Sequence, residues 1–290
     1  MLDRKMLNVK INNNSLIVNP TDNYSNIDIN PEEIKNLVSE HGVVVLRDFN
    51  FSLDSFSKLV NDTSSSVTLD PARTFHSDVA QKVDAGTNSV SLHIENGNSP
   101  FTSDLAWFYC EHAAKKGSQT TYCDGVQAWR LFPDSLKKRF EGKKLVYKRN
   151  VSEKNWKAFL HFHSQEDNLK YEQLVDFTKD MDIDVTLNED QSIKYTYSTT
   201  PTLETKQGTL AFANSILGPS YNYEKPKIYL DDVEIDDELL NEVEKLTEQC
   251  TYDLLWQKGD VLIVDNKRVM HGRRKIEDTE RQIFNALSYI

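Results

Sequence analysis

His93 and Glu95 stand two residues apart in Ser89–Glu95, a segment where polar and apolar residues alternate. On a strand, side chains at i and i+2 share one face, so this imidazole and this carboxylate can grip one ion. A third ligand must come from elsewhere in the chain. His271 qualifies, because it follows the hydrophobic run Gly259–Val264 and the turn Asp265-Asn266-Lys267 near the end of the sequence. Two histidines and one carboxylate leave three coordination positions open. That is the arrangement by which non-haem iron(II) oxygenases admit a bidentate co-substrate and dioxygen. The pair His-x-Glu is common, however, and two other readings use the same residues. One is a zinc hydrolase on a similar barrel, with three protein ligands and one water. The other is a non-catalytic jelly-roll binding module.

Arg281 favours the oxygenase. It lies ten residues after His271 and opens the alternating segment Arg281–Tyr289, sharing a face with Ile283 and Leu287. A buried guanidinium there can pair in a fork with the distal carboxylate of 2-oxoglutarate, and a zinc hydrolase has no use for it. A rival metal cluster, His161-Phe162-His163 with Glu166, falls in a helix-leaning segment, where i and i+2 do not face each other. A surface or lid role fits it better. His41 and His112 read as loop or helix-end residues, and nothing in the pattern gives His76 a role.

The elements that must position these residues read as follows. Asn30-Pro31-Glu32-Glu33 is a helix start, Ile34, Leu37 and Val38 its apolar stripe, and Gly42 its end. A buried strand at 42–47 and a short helix carrying Phe56, Leu59 and Val60 come next. From Val79 onward short strands are expected at Ser89–Glu95, Leu105–Cys110, Thr120–Cys123, Lys194–Tyr197 and Thr209–Phe212. Pro133–Phe140 reads as a surface helix, Glu153–Asp180 as helix-leaning, and Asp237–Cys250 as an amphipathic helix. Gly259–Val264, Val269–His271 and Arg281–Tyr289 close the chain as strands. The sum is a mainly β fold with helices: a jelly-roll (double-stranded β-helix) core buttressed by N-terminal and inserted helices. One domain over 1–290 is expected, with a helical lid inserted around 151–185. A doubly wound α/β fold would need regular strand–helix alternation, which is missing.

Composition narrows the partners. A net charge of −11 argues against nucleic acid or an anionic membrane, both of which need a basic face. The acids near Asp180–Asp190 and Asp231–Glu248 read as solvated surface. No signal peptide or membrane span is visible, and three scattered cysteines form no CxxC pair. The expectation is a reduced, cytoplasmic protein acting on a small molecule.

These residues carry a resemblance. HGVVVLRDF (41–49), LHIEN (92–96), GSQTTYCDG (117–125), VYKRN (146–150), FANS (212–215) and WQKGDVLIVDNKRVMHGR (256–273) resemble the TauD/TfdA-like (taurine/2,4-D dioxygenase) superfamily. Within it the chain is similar to the clavaminate-synthase-like and syringomycin-biosynthesis-like enzymes, over about Glu33 to Tyr289. The resemblance implies an Fe(II)/2-oxoglutarate-dependent oxygenase that consumes dioxygen, with His93, Glu95 and His271 as metal ligands. It implies Arg281 as anchor of the 2-oxoglutarate C5 carboxylate, helped by Thr120, with Asn214 and Arg273 as pocket residues for the substrate. Gly117 is followed by Ser118 and Gln119 where the family often has two glycines before the threonine, and Arg273 and Arg274 compete with Arg281 as anchor. An amino-acid-like substrate, free or carrier-bound, in specialised metabolism follows from the same likeness. Hydroxylation is the default outcome, with desaturation, cyclisation or epoxidation open to the same residues. In the family's halogenases a small residue replaces the carboxylate ligand; Glu95 implies transfer of oxygen, or removal of hydrogen alone, and no transfer of chlorine.

Overall fold

The structure is a computed structural model that describes residues 7–21, 29–68, 79–83, 86–167, 169–219 and 224–290; His76 and the side chains of 162 and 163 lie outside the described set. Two sheets face each other. The larger runs in the order Leu7–Asn12, Ser15–Pro20, Val43–Leu46, Val261–Asp265, Leu105–His112, Gln282–Tyr289, Ser66–Thr68, with Gln81–Lys82 also paired to Gln282–Tyr289. The smaller runs Thr251–Leu254, Thr120–Asp124, Val269–Arg273, Val90–His93, every pairing antiparallel. This is the jelly roll. Its first hairpin turns at Asn13 and Asn14, both at positive φ, a conformation that asparagine tolerates.

Alternation along the strands sorts the residues into layers. Phe108, Leu262, Ile283 and Leu287 point between the sheets, where they meet Tyr122 and Leu254. Their neighbours Trp107, Tyr109, Val261, Ile263 and Phe284 point outward and pack under the helices Pro31–His41 and Leu53–Thr63. The first of these helices is capped as its sequence requires. The Asn30 side chain accepts from Glu32 N at 2.9 Å, and Gly42, at φ 77, donates to Val38 O at 2.7 Å. Helices Gly125–Leu131, Asp134–Phe140 and Asp237–Glu248 bury Val126, Leu136, Phe140 and Val243 in a second core with Leu92 and Met270 of the smaller sheet and with Ile94 just past it.

The segment expected to be a helical insertion is more mixed. Helices Glu153–Ser164 and Tyr171–Thr178 are separated at Gln165, whose φ is 59. The stretch that follows, Ile183–Leu187, is a strand, because Ile, Val and Leu alternate there with Asp and Thr at period two. It belongs to a five-stranded sheet with Ile193–Thr199, Leu145–Val151, Lys227–Leu230 and Val233–Glu234. Trp156, Leu160, Leu174 and Ile193 form the core of this part. Among the described residues no helix is long and apolar enough to cross a membrane.

Candidate active site

The smaller sheet brings two histidines together directly. His271 is the register partner of His93, and their ring centroids lie 4.6 Å apart. His271 Nε2 is 3.5 Å from Glu95 Oε1. One ligand atom from each of His93, Glu95 and His271 lies within 4.8 Å of the others; it is the one such group of three found among the described residues. Glu95 and His271 are buried, at 7% and 3% exposure. His93 Nδ1 faces Ser91 O at 2.9 Å, which fixes the tautomer and leaves Nε2 to bind a metal. This donor set fits a small divalent ion of the first transition row.

Glu95 reaches that point by a route the sequence did not show. The strand ends at His93, so Glu95 lies in the following turn, not on the strand. A buried asparagine replaces the missing strand neighbour. Asn266 Oδ1 accepts from Glu95 N at 2.8 Å, and its Nδ2 donates to Glu95 O at 3.0 Å and to Ser103 O at 3.0 Å. Asn266 stands in the turn Asp265-Asn266-Lys267, just before the His271 strand, so one turn serves two metal-site residues. Gly272 lets the neighbouring strands close around them: a Cβ there would meet Val90 O at 2.5 Å.

A cavity of about 120 Å³ opens on the triad, and Thr120, Arg273, Arg281, Phe108 and Ile283 also line it. The Phe108 ring stands edge-on to His271, centroids 5.1 Å apart. Arg281 is 7% exposed, and its Nη1 is buried with no hydrogen-bond partner. Burial, and next the neighbouring Arg273 cation, push its pKa down to about 10. A diacid's carboxylate is the natural partner for such a group. Trp256 Nε1 donates to the Thr120 hydroxyl at 3.1 Å, leaving the hydroxyl's own proton free to donate into the cavity.

The other expected residues divide. Arg273 lines the same cavity and donates from Nη2 to Gly86 O and Asn88 O, at 2.9 and 2.7 Å; burial lowers its pKa. Arg274 instead pairs with Asp253 at 2.9 Å and Glu248 at 2.7 Å. Asn214 is not brought to the triad cavity. It lines a separate one of about 380 Å³, and its amide is engaged with Pro201 O and Ile216 N. His161 Nδ1 lies 2.7 Å from Glu166 O, an exposed local contact. The sequence reading gives Trp256 no role and Asn266 only a place in the turn before the His271 strand. Their signal was an indole and an amide at fixed offsets from the final ligand strand, which pattern alone could not assign to Thr120 and Glu95.

A jelly roll that aims two imidazoles and one carboxylate at one point, beside a buried arginine with an idle Nη1, has the make-up of a class of metal-dependent oxygenases. The comparisons agree. Residues 8–287 match the family described as taurine catabolism dioxygenase TauD, TfdA family, and the chain belongs to it. It is an enzyme, an iron(II)/2-oxoglutarate-dependent dioxygenase by class. Among characterised proteins it is similar to the dapdiamide synthesis protein DdaC of Enterobacter agglomerans, 24% identical over 282 residues, 88% of this chain and 84% of that one. Among solved structures it resembles PvcB of Pseudomonas aeruginosa, with TM-score 0.65 and 13% identity over 100% of this chain and 93% of that one. It also resembles AAD-2 in complex with Mn(II) and N-oxalylglycine, with TM-score 0.62 and 12% identity over 97% and 96% of the two chains.

Proposed function

We propose that His93, Glu95 and His271 hold iron(II), and that Arg281 with Thr120 takes the distal carboxylate of 2-oxoglutarate. The observation that carries this reading is the meeting, in one cavity, of the three ligands and a buried guanidinium with an unpartnered Nη1. With both groups bound, the metal would use dioxygen to couple oxidative decarboxylation of 2-oxoglutarate, to succinate and carbon dioxide, with oxidation of an unactivated C–H bond, one oxygen atom going to succinate and the other to the substrate when the outcome is hydroxylation. The residues of this chain do the rest. Ser91 O and Asn266 orient His93 and Glu95, Arg281 fixes the co-substrate's far end, and Phe108 and Ile283 keep the near side apolar.

The substrate is a small amino-acid-derived molecule of specialised metabolism, free or carrier-bound, and hydroxylation is the default outcome. This rests on likeness to DdaC, named for dapdiamide synthesis, and to PvcB, described as an Fe, alpha-ketoglutarate dependent oxygenase from an isonitrile synthetic pathway. The helices Glu153–Ser164 and Tyr171–Thr178 act as a lid. Phe159 and Phe177 pack on Phe101 in the segment after Glu95, with centroids 5.3 and 6.4 Å away, so lid position is coupled to the metal site.

The test is anaerobic titration with iron(II) and 2-oxoglutarate. A metal-to-ligand absorption band requiring both is expected, which a zinc hydrolase or a binding module would not give. His93→Ala and His271→Ala should each abolish substrate-dependent succinate release, and full activity in either removes that residue from the site.

A further inference from the structure

Cys123 and Cys250 are 127 positions apart in the chain, and the fold brings their sulfurs to 3.6 Å. Cys123 sits on the strand Thr120–Asp124, where its neighbour Tyr122 points between the sheets. Alternation turns Cys123 the other way, into the core under the helix Asp237–Glu248. Cys250 lies two residues past the end of that helix, just before Thr251, the register partner of Cys123. The Cys123 and Cys250 thiols both face the carbonyl of Thr247, at 3.8 and 3.4 Å. The third cysteine, Cys110, belongs to the core between the sheets.

A buried cysteine by itself is a small apolar filler. Two sulfurs in contact are a different object, because one can hold a proton for the other and the two can be joined. The two ends are unequal. The hydrogen bond from Cys123 lowers the pKa of Cys250, while that same bond and burial raise the pKa of Cys123. Cys250 is thus the sulfur that takes negative charge, and the thiolate is the nucleophilic form. It is also the one that an oxidant meets first. Cys250 is 7% exposed, between the exposed Gln249 and the half-buried Thr251, whereas Cys123 is sealed at 0%. Thr247 and Thr251 on either side of Cys250, and Thr121 on the same face as Cys123, line a cavity of about 120 Å³. That is ample for a molecule of peroxide size. Cys123 need not be reached from solvent, since the Cys250 sulfur already lies against it.

We propose that Cys123 and Cys250 form an oxidative modification site, in which hydrogen peroxide closes an internal disulfide and a dithiol reopens it. First the Cys250 thiolate attacks one peroxide oxygen and the O–O bond breaks. Hydroxide leaves, becomes water with a solvent proton, and Cys250 is left as a sulfenic acid. The Cys123 sulfur then attacks the Cys250 sulfur, the S–O bond breaks, and the departing hydroxide takes the Cys123 proton as a second water. Two thiols lose two electrons, and one peroxide is reduced to two waters. Exchange with a dithiol returns both sulfurs to thiols and leaves the reductant as its own disulfide. The new bond draws the sulfurs from 3.6 Å to about 2 Å and closes a loop spanning 127 positions. It ties the end of the helix Asp237–Glu248 to the strand that carries Thr120 and pairs with the His271 strand. The bridge thus braces the wall of the triad cavity from outside, without using a residue that lines it.

The experiment uses the full chain, first reduced, then treated with a small excess of hydrogen peroxide in the presence of a metal chelator. A mass loss of about 2 Da is expected, with the free thiols of the unfolded protein falling from three to one. Proteolytic mapping with the free thiols blocked should find the peptides of Cys123 and Cys250 joined, and dithiothreitol should separate them. Cys123→Ser and Cys250→Ser should each abolish the mass loss, while Cys110→Ser keeps it. Should a variant not fold, the joined peptide in wild type decides alone. The oxidised chain should also unfold at a higher urea concentration than the reduced one. Three free thiols after treatment, oxygen added to cysteine in place of the bridge, or a bridge that includes Cys110 overturns the proposal. An unfolding midpoint no higher than that of the reduced chain overturns the bracing role. None of these readouts involves iron or 2-oxoglutarate, so the result stands whatever the triad cavity binds.

Discussion

Arg47, half-buried, and Arg281, buried, both stand at ends of strands of the larger sheet, and they live in opposite surroundings. Arg47 makes a fork to Asp260, Nε to Oδ1 at 2.9 Å and Nη2 to Oδ2 at 2.6 Å, with Leu255 O as a third acceptor. Its pKa is raised, first by that hydrogen bond. Arg268 repeats the pattern with Asp124, at 3.1 and 2.7 Å. Arg281 forms no ion pair among the described residues, its Nη1 is idle, and its pKa is pushed down to about 10. The buried asparagines divide in the same way. Asn266 is bonded at both ends of its amide, and Asn285 at neither. A satisfied buried polar group is part of the scaffold. Arg281, whose idle Nη1 belongs to a residue lining the triad cavity, is the one of these groups placed to receive a ligand.

The sharpest test of that contrast is stability. Arg47→Met leaves Asp260 buried without its partner and should cost about 3–5 kcal/mol in urea unfolding. Arg281→Met removes a cation that folding has to desolvate, and should cost nothing or gain on the order of 1 kcal/mol. Equal losses in both would erase the distinction.

Ligand affinity should invert the order. Arg281→Met should weaken 2-oxoglutarate binding by about 2–5 kcal/mol by calorimetry, with metal binding intact, whereas Arg274→Ala should leave it unchanged. If Arg273→Ala or Arg274→Ala gives that loss and Arg281→Met does not, the anchor is misassigned. The depressed pKa adds a pH signature. The bound dianion favours the charged guanidinium, so binding takes up protons near pH 10, and affinity should be flat below about pH 9 and fall as pH rises through 10.

A smaller effect is expected at Asn266, the scaffold asparagine. Asn266→Ala should weaken iron(II) binding about 10- to 100-fold by competition with a chromophoric chelator. Undiminished affinity would make the Asn266–Glu95 bonds incidental to the metal. The smallest effect belongs to Thr120→Val, which removes one neutral hydroxyl. It should raise the KM for 2-oxoglutarate about fivefold, from the roughly 1 kcal/mol of a neutral hydrogen bond.

Much of this was legible in the sequence because it is written in side-chain type and period. His93, Glu95 and His271 offer rare donors, and Arg281 stands immediately before a strand whose inward face carries Ile283 and Leu287. The strands at 261–265, 269–273 and 282–289 and the helix at 237–248 emerged for the same reason, being long and strongly patterned. What stayed hidden depends on pairing at a distance. The sequence reading put Glu95 on a strand, and only the contact with Asn266 shows that it lies past the strand's end. Of the sheet at 145–234 only Lys194–Tyr197 emerged as a strand; Ile183–Leu187 is half exposed and was not recognised. The hairpin at 7–20 was missed although Asn13-Asn14 sits between two alternating runs. The outward-facing residues of its first strand are too polar to announce it.

Asn266 and Glu95 are separated by 171 positions, so the carboxylate is held in place only after the last third of the chain has docked. Loop closure over that span is slow and late compared with helix formation. A nascent chain can present His93 and Glu95 to solvent, yet it lacks both His271 and the turn that fixes the carboxylate. On the proposed reading of the site, iron capture is thereby made a certificate of finished folding. A redox-active ion is admitted only once the walls that confine its chemistry are standing.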